Sequence, residues 1–178
     1  GHIGTQVGIL AEALGLRVLF HDIVAKLPLG NARPCAGLGE LLAQSDFVSL
    51  HVPDLPTTRD LVGAREIGAM KKGAFLLNAS RGLVVNLPAL ADGLRSGHLG
   101  GAAVDVFPRE PQGNMDAFES ELRGLPNVIL TPHIGGSTEE AQAAIGREVA
   151  ASLLKFVNEG ATTGAVNFPT VELPAAPG

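Results

Sequence analysis

The sequence predicts an α/β protein built on a doubly wound parallel sheet, and three observations carry that prediction. Five short apolar runs recur along the 178 residues, separated by longer stretches with helical spacing. Each run is nearly continuous in apolar residues rather than alternating, the pattern of a strand covered on both faces. Glycine is abundant at 23 residues, whereas Trp and Tyr are missing and aromatics reach only 4%. That balance suits aliphatic strands joined to helices by tight turns.

The elements follow in order. Thr5 to Leu14 sets Val7, Leu10, Ala11 and Leu14 on one helical stripe, with Gly15 as its stop. The first apolar run is Arg17 to Asp22; a short helix over Leu38–Ala43 leads to the second, Asp46 to His51. A helix over Ala64–Met70 precedes the run Gly73 to Asn78, and a helix over Leu87–Leu94, closed by Gly97, precedes Gly101 to Asp105. Phe107 to Pro126, with Pro108, Pro111, Gly113 and Gly124, is too long for an ordinary connection and is expected to carry function. Asn127 to Thr131 is the fifth run. The longest helix is predicted over Thr138–Val157, opened by Ser137 or Thr138 with Glu140 as capping partner. Its apolar positions Ala141, Ala144, Ile145, Val149 and Leu153 keep the 3.6-residue period. Strand alternating with helix implies parallel pairing through right-handed crossovers. Residues 1–160 thus read as one domain, and residues 161–178, rich in Pro, Gly, Ala and Thr, as a linker or tail.

Composition excludes several classes. Hydrophobic residues make up 46% and charged residues 17%, which fits neither disorder nor a polyelectrolyte tail. The net charge of −5 argues against a nucleic-acid groove, which needs a basic face. No apolar run approaches the ~18 residues of a membrane span, and no signal-peptide pattern opens the chain. One cysteine, Cys35, cannot form an intrachain disulfide and reads as a small buried hydrophobe. A cytoplasmic protein without nucleic-acid or membrane partners is expected. No Cys/His spacing supports a metal site.

Two features point to chemistry. Gly1-His2-Ile3-Gly4 precedes the first helix, and Asp22 ends the first run 18 residues beyond Gly4. That spacing matches the later part of the dinucleotide fingerprint, in which glycines admit the pyrophosphate and an acid accepts from the ribose hydroxyls. The helix N-terminus would supply free N–H groups and partial positive charge, and an aspartate would repel a 2′-phosphate, so NAD is expected over NADP. The first strand and first glycine of the fingerprint do not precede Gly1 here, so the chain reads as starting inside the motif. Taken alone, the four residues read equally as an ordinary glycine-opened helix.

The second feature is where polar residues fall. In open α/β sheets ligands bind beyond the carboxyl ends of the strands. Ala79-Ser80-Arg81-Gly82 follows the third run, Asp105 ends the fourth with Glu110 beyond it, and Thr131-Pro132-His133-Ile134-Gly135-Gly136 follows the fifth. Singly, Arg81 reads as a rim ion pair, Glu110 as a solvated loop charge, His133 as a turn residue and Asp105 as a turn cap. Together they put an arginine, two acids and a histidine on one rim, where catalysis belongs.

Asn78-Ala-Ser-Arg-Gly-Leu-Val-Val, Ala103-Val-Asp-Val-Phe-Pro-Arg-Glu-Pro and Leu130-Thr-Pro-His-Ile-Gly-Gly-Ser-Thr resemble signature segments of the D-isomer-specific 2-hydroxyacid dehydrogenases. Within that family, the stretch from His21 to Asn31, Ser49-Leu-His-Val-Pro and Ala165-Val-Asn-Phe-Pro are similar to the bacterial D-3-phosphoglycerate dehydrogenase branch. The resemblance, over roughly residues 1–170, implies a Rossmann-type NAD-binding domain and oxidation of 3-phosphoglycerate to 3-phosphohydroxypyruvate, the first step of serine biosynthesis. It implies His133 as acid/base, Glu110 as its partner and Arg81 as the group that binds the substrate carboxylate. For NAD it implies Gly1, His2, Ile3 and Gly4 beside the pyrophosphate and Asp22 on the ribose. Ala79, Ser80 and Arg81 would lie near the nicotinamide, Asp105 on its carboxamide, and His133, Ile134, Gly135 and Gly136 along that wall. A homo-oligomer, dimer or tetramer, is implied as well.

The resemblance leaves other D-2-hydroxy acids (lactate, glyoxylate, 2-hydroxyglutarate) open as substrates. A corepressor-like NAD-sensing scaffold is also open, because such proteins keep similar Arg, Glu and His residues. Asn86 stands where many relatives have an acid, at a position where Asn also caps a helix. Family members also carry a substrate-binding domain, and this branch a serine-binding regulatory one; neither is expected within these residues. The chain thus reads as an excised core, inactive alone.

Overall fold

The computed structural model describes residues 1–111, 113, 116–165, 167–169 and 171. Val166, from one of the resemblance-bearing segments, and residues 172–178 of the expected linker lie outside the described residues. The chain forms two compact units, Gly1–Pro132 and His133–Gly178.

In the first unit, helix α1 (His2–Ala13) leads into strand β1 (Leu19–Phe20) and strand β2 (Arg33–Pro34). Helix α2 (Leu38–Gln44), strand β3 (Phe47–Leu50), helix α3 (Ala64–Ala69), strand β4 (Phe75–Asn78), helix α4 (Leu87–Arg95), strand β5 (Gly101–Val104) and strand β6 (Val128–Leu130) follow. Every strand pair is parallel, but the strands fall into two sheets: β1 with β2, and the four-stranded order β3-β4-β5-β6. The β2 pairing escaped the sequence because Arg33–Pro34 has no apolar run; only backbone groups join it to β1, Arg33 N donating to Val18 O and Cys35 N to Phe20 O. Cys35 is buried as expected.

The register of the larger sheet aligns Val48, Leu76, Ala102 and Val128 in one row, and Leu50, Asn78, Val104 and Leu130 in another. These rows share a face, since both lie an even number of residues apart along each strand. Leu42 of α2, Ile67 of α3 and Leu90 of α4 join Val48, Leu76 and Val104 in one buried cluster. The opposite face carries Phe47, Phe75 and Ile129. Phe47 is 57% exposed and Ile129 66%, and Phe47 and Phe75 stack with ring centroids 5.1 Å apart. Here α2, α3 and α4 all feed one face. Helix α1 likewise buries no side chain, with Leu10 and Leu14 exposed, although its stripe has the expected period.

Local chemistry explains the helix boundaries. Gly37 precedes α2, and Glu40 in its first turn accepts from Ala36 N at 2.7 Å. Asn86 caps α4, accepting from Ala89 N, and Pro88 occupies its first turn, where a missing N–H does no harm. His98 is half-buried, with Nε2 2.9 Å from Ile67 O, so it ties the end of α3 to the turn after α4. Between β5 and β6 the long connection carries neither helix nor strand among its described residues. Phe107 and Phe118 fold it onto itself, edge to face at 4.7 Å.

The second unit is built on helix α5 (Glu139–Glu159). Thr138 is the cap, accepting from Ala141 N at 3.1 Å, and Gly160 closes the helix in the left-handed conformation at φ 67°. Glu140 stands one position before Ala141, the place from which a capping box reaches back, so it and Glu139 act as charge at the positive helix end. No side chain of α5 is buried. Beyond it, Thr162 N donates to Val171 O and Thr162 Oγ1 accepts from Val171 N at 2.8 Å, closing a turn.

Candidate active site

Gly1 opens α1 with no side-chain cap, so the first-turn N–H groups at His2, Ile3 and Gly4 face outward along the helix axis. Gly4 lies against His51 at the end of β3; a Cβ there would stand 3.3 Å from the His51 ring, so glycine permits the close approach. Beyond β1, Asp22 is anchored at both oxygens. Oδ1 accepts from Val24 N at 3.0 Å, and Oδ2 lies 2.8 Å from Lys26 Nζ. The Lys26 ammonium, with the Val24 N–H, holds the Asp22 carboxyl below the usual carboxylate range.

The carboxyl ends of β4, β5 and β6 form the second cluster. Asn78, fully buried, is a clamp: Oδ1 accepts from Ser80 N at 3.1 Å and Ser80 Oγ at 2.8 Å, while Nδ2 donates to Arg81 O at 3.0 Å. Its own carbonyl accepts from Asp105 N at 3.0 Å, which fixes the end of β5 beside the loop. Thr131 Oγ1 donates to Asp105 Oδ1 at 2.6 Å and holds that carboxylate from β6. Arg81 is exposed, and Nη1 donates to Ser80 O at 2.7 Å.

Gly82 brings the Glu110 segment close. A Cβ on Gly82 would sit 2.1 Å from the Phe107 carbonyl carbon and 2.6 Å from Pro108 N. No side chain fits, so the Arg81 loop presses directly on the start of the long connection. Glu110 is half-buried, and its Oε1 accepts from Phe107 N at 3.0 Å. An open cavity of about 880 Å³, lined among others by Asp60, Asn86, Phe107, Glu110 and Phe118, lies on that side; Arg81 is not part of its wall.

In the second unit His133 is exposed and stands at φ 52°, a left-handed conformation that non-glycine residues adopt rarely and at sites that over-determine it. Ser137 N donates to Ile134 O at 2.9 Å, so Ile134, Gly135 and Gly136 form a turn leading to the capped N-terminus of α5. The first unit thus brings together Ala79, Ser80, Arg81, Asp105 and the Glu110 segment, and separately the Gly1–Gly4 turn with Asp22. His133 to Gly136 belong to the second unit. Among the described residues no group of three or more His, Cys, Asp or Glu could hold a metal ion, and no helix is long and apolar enough to cross a membrane.

The turn fits a dinucleotide on its own geometry: a glycine-opened helix N-terminus for a pyrophosphate, a glycine packed close against His51, and an acid past the next strand. Residues 1–135 match the family described as D-isomer specific 2-hydroxyacid dehydrogenase, NAD binding domain. The chain belongs to this family. As a 2-hydroxyacid dehydrogenase NAD-binding domain it is 58% identical over 177 residues to D-3-phosphoglycerate dehydrogenase of Dictyostelium discoideum, covering 99% of the chain and 44% of that protein. It is 60% identical over 174 residues to the protein of the same name from Escherichia coli K12, covering 98% and 42%. The chain therefore spans less than half the length of these relatives. A crystal structure of a D-isomer specific 2-hydroxyacid dehydrogenase from Lactobacillus delbrueckii ssp. bulgaricus, NAD complexed form, superposes with a TM-score of 0.82 at 29% identity, over 94% of this chain and 54% of that one.

The sequence pointed to these acids and cations but not to what holds them. Asn78 was legible only as a strand end, although a lone amide closing an apolar run is a signal that its side chain pairs locally. Thr131, Gly82 and Lys26 carried no signal alone. Their roles come from strand register, backbone proximity and a loop that folds back.

Proposed function

We propose that this chain is the NAD-binding and catalytic portion of a D-3-phosphoglycerate dehydrogenase, oxidising 3-phosphoglycerate to 3-phosphohydroxypyruvate as the entry to serine synthesis. The observation that carries the reading is the convergence at the ends of β4 and β5: the buried Asn78 orders the Arg81 loop with its side-chain amide and accepts from Asp105 N with its backbone carbonyl. The 58% and 60% identity to relatives bearing that name supports the substrate.

In this reading Arg81 binds the substrate carboxylate through its forked donors and polarises the adjacent oxygen. His133 takes the hydroxyl proton as the substrate carbon is oxidised, and returns it in the reverse direction. Glu110 orients the imidazole. NAD, when bound, accepts the hydride. Gly1, His2, Ile3 and Gly4 hold its pyrophosphate by backbone N–H groups, and Asp22 accepts from the adenosine ribose. Asp105 accepts from the nicotinamide carboxamide, while Ala79, Ser80 and the backbone from His133 to Gly136 wall the ring. Residues 1–160 serve as the cofactor domain and residues 161–178 as a connection. A homo-oligomer working in the cytoplasm, on a small 2-hydroxy acid rather than nucleic acid, completes the reading; the net charge of −5 and the single cysteine support it.

The test is turnover of the full-length gene product with NAD and, in parallel, 3-phosphoglycerate, D-lactate, glycolate and 2-hydroxyglutarate. NADH formation is expected to be fastest with 3-phosphoglycerate, and His133→Ala to lower kcat by about 10²–10⁴-fold, the usual contribution of a positioned acid/base. Preference for another acid would overturn the substrate; undiminished turnover in His133→Ala would overturn the assignment of the base.

A further inference from the structure

We propose that Lys26 sets how strongly the adenosine end of this domain discriminates between NAD and its 2′-phosphorylated counterpart. The inference rests on the reading of Asp22 as the ribose acid and deepens it.

A lone carboxylate at the ribose favours hydroxyl donors and repels a phosphate. Asp22 is not alone. Its Oδ2 is 2.8 Å from Lys26 Nζ, and both side chains keep solvent access, at 42% exposure for Lys26 and 29% for Asp22. Its Oδ1 is occupied by the Val24 N–H at 3.0 Å, so the carboxylate cannot turn away from the lysine without losing a backbone bond. The lysine is delivered by a tethered loop: Asn31 N donates to Glu12 Oε1 of α1 at 3.0 Å, and Asn31 Nδ2 to Leu16 O at 3.4 Å. The loop from Asp22 to Asn31 is therefore tethered, and the ammonium is held against the Asp22 carboxylate and beside the Gly1 amine.

The consequence is a graded selector. The Asp22 carboxylate still excludes a phosphate, but the ammonium offsets part of that repulsion and offers a donor to the same group. Removing Lys26 leaves the full carboxylate charge and sharpens discrimination. Removing the Asp22 charge leaves the ammonium and reverses it. The chemistry recognised is an adenosine bearing, or lacking, a 2′-phosphate.

The probes are 5′-AMP and 2′,5′-ADP, which differ only by that phosphate, titrated calorimetrically into the full-length gene product. Lys26→Ala and Lys26→Met should raise the ratio of the 2′,5′-ADP Kd to the 5′-AMP Kd by about three- to tenfold, the scale of a solvent-accessible charge pair acting on a multiply charged group. Lys26→Arg should hold the ratio near that of the unmodified protein. Asp22→Asn should lower the ratio, and adding Lys26→Ala to it should cancel that gain. The difference should shrink as salt rises. A ratio unchanged within twofold in both Lys26→Ala and Lys26→Met, with 5′-AMP still weakened by Asp22→Asn, overturns the role of Lys26 and leaves Asp22 as the ribose acid. If Asp22→Asn binds 5′-AMP as well as the unmodified protein does, the ribose reading itself fails, and the proposal with it.

Discussion

Asn86 and Asp60 share one hydrogen bond that explains an unusual residue choice. Asn86 Nδ2 donates to Asp60 Oδ1 at 3.1 Å while Asn86 Oδ1 accepts from Ala89 N at 3.0 Å as the cap of α4. Backbone bonds hold the pair in place, from Asp60 N to Leu83 O at 2.8 Å and from Asn86 N to Val62 O at 3.0 Å. An acid at position 86 could still cap the helix, but it would set a second carboxylate against Asp60. With an acid at position 60, the amide at 86 satisfies both neighbours.

Asn86→Asp should therefore destabilise the protein at neutral pH although aspartate is a good cap. Its sign with pH follows from like-charge repulsion, which raises the pKa of one member of the pair. The penalty is full where both carboxyls are ionised and fades as acid protonates one. Chemical denaturation at neutral and acidic pH would measure it, and Asp60→Asn added to Asn86→Asp should restore stability. Asn86→Ala, which loses the cap outright, should cost about 1–2 kcal/mol with no comparable pH dependence.

Gly82→Ala is expected to be severe. The new Cβ would overlap the Phe107 backbone at 2.1 Å, and backbone cannot yield as a side-chain tip can. Either the Arg81 loop or the Phe107–Glu110 segment must move. A shift of about 1 Å in a substrate-positioning group can lower turnover ~10²-fold. Full-length protein carrying Gly82→Ala should lose kcat/KM on that scale, and thermal denaturation should show a lower Tm. Unaltered turnover would mean that the loop is not where substrate is held.

Asn78→Ala tests the clamp. It would leave the Ser80 N–H and hydroxyl and the Arg81 carbonyl without their buried partner; each such loss costs about 1–3 kcal/mol. Asn78→Asp keeps the acceptor for Ser80 but removes the donor to Arg81 O, so it should damage the Arg81 loop selectively. The expected result is a larger rise in substrate KM than in NAD KM, read from steady-state kinetics. Equal effects on both would assign Asn78 to stability alone.

Much of this was legible in the sequence because it rests on local pattern. The runs ending at Asn78, Asp105 and Thr131 are strands within one or two residues of expectation, and Asn78, Asp105 and Thr131 are linked by hydrogen bonds at their ends. What was not legible depends on chain meeting chain. The strand Arg33–Pro34 has no apolar signature and exists only through its pairing with Leu19–Phe20. Nothing local in the sequence shows that His98 Nε2 lies 2.9 Å from Ile67 O.

His51 gives the last prediction. It sits half-buried at the end of β3, with Nε2 2.9 Å from Ser49 Oγ and its ring against Gly4. Burial pushes its imidazole below the ordinary histidine value. The folded state then binds the proton less readily than the unfolded state, whose histidine titrates near ~6.5. Stability therefore rises with pH across this group and falls as pH drops through the ordinary value, levelling off below the folded one. NMR titration should give His51 a midpoint below that of a free histidine. His51→Gln, which keeps a polar partner for Ser49 but cannot titrate there, should lose less stability than the unmodified protein between neutral and mildly acidic pH. Equal losses would show that the acid sensitivity of the fold lies elsewhere than beside the Gly1–Gly4 turn.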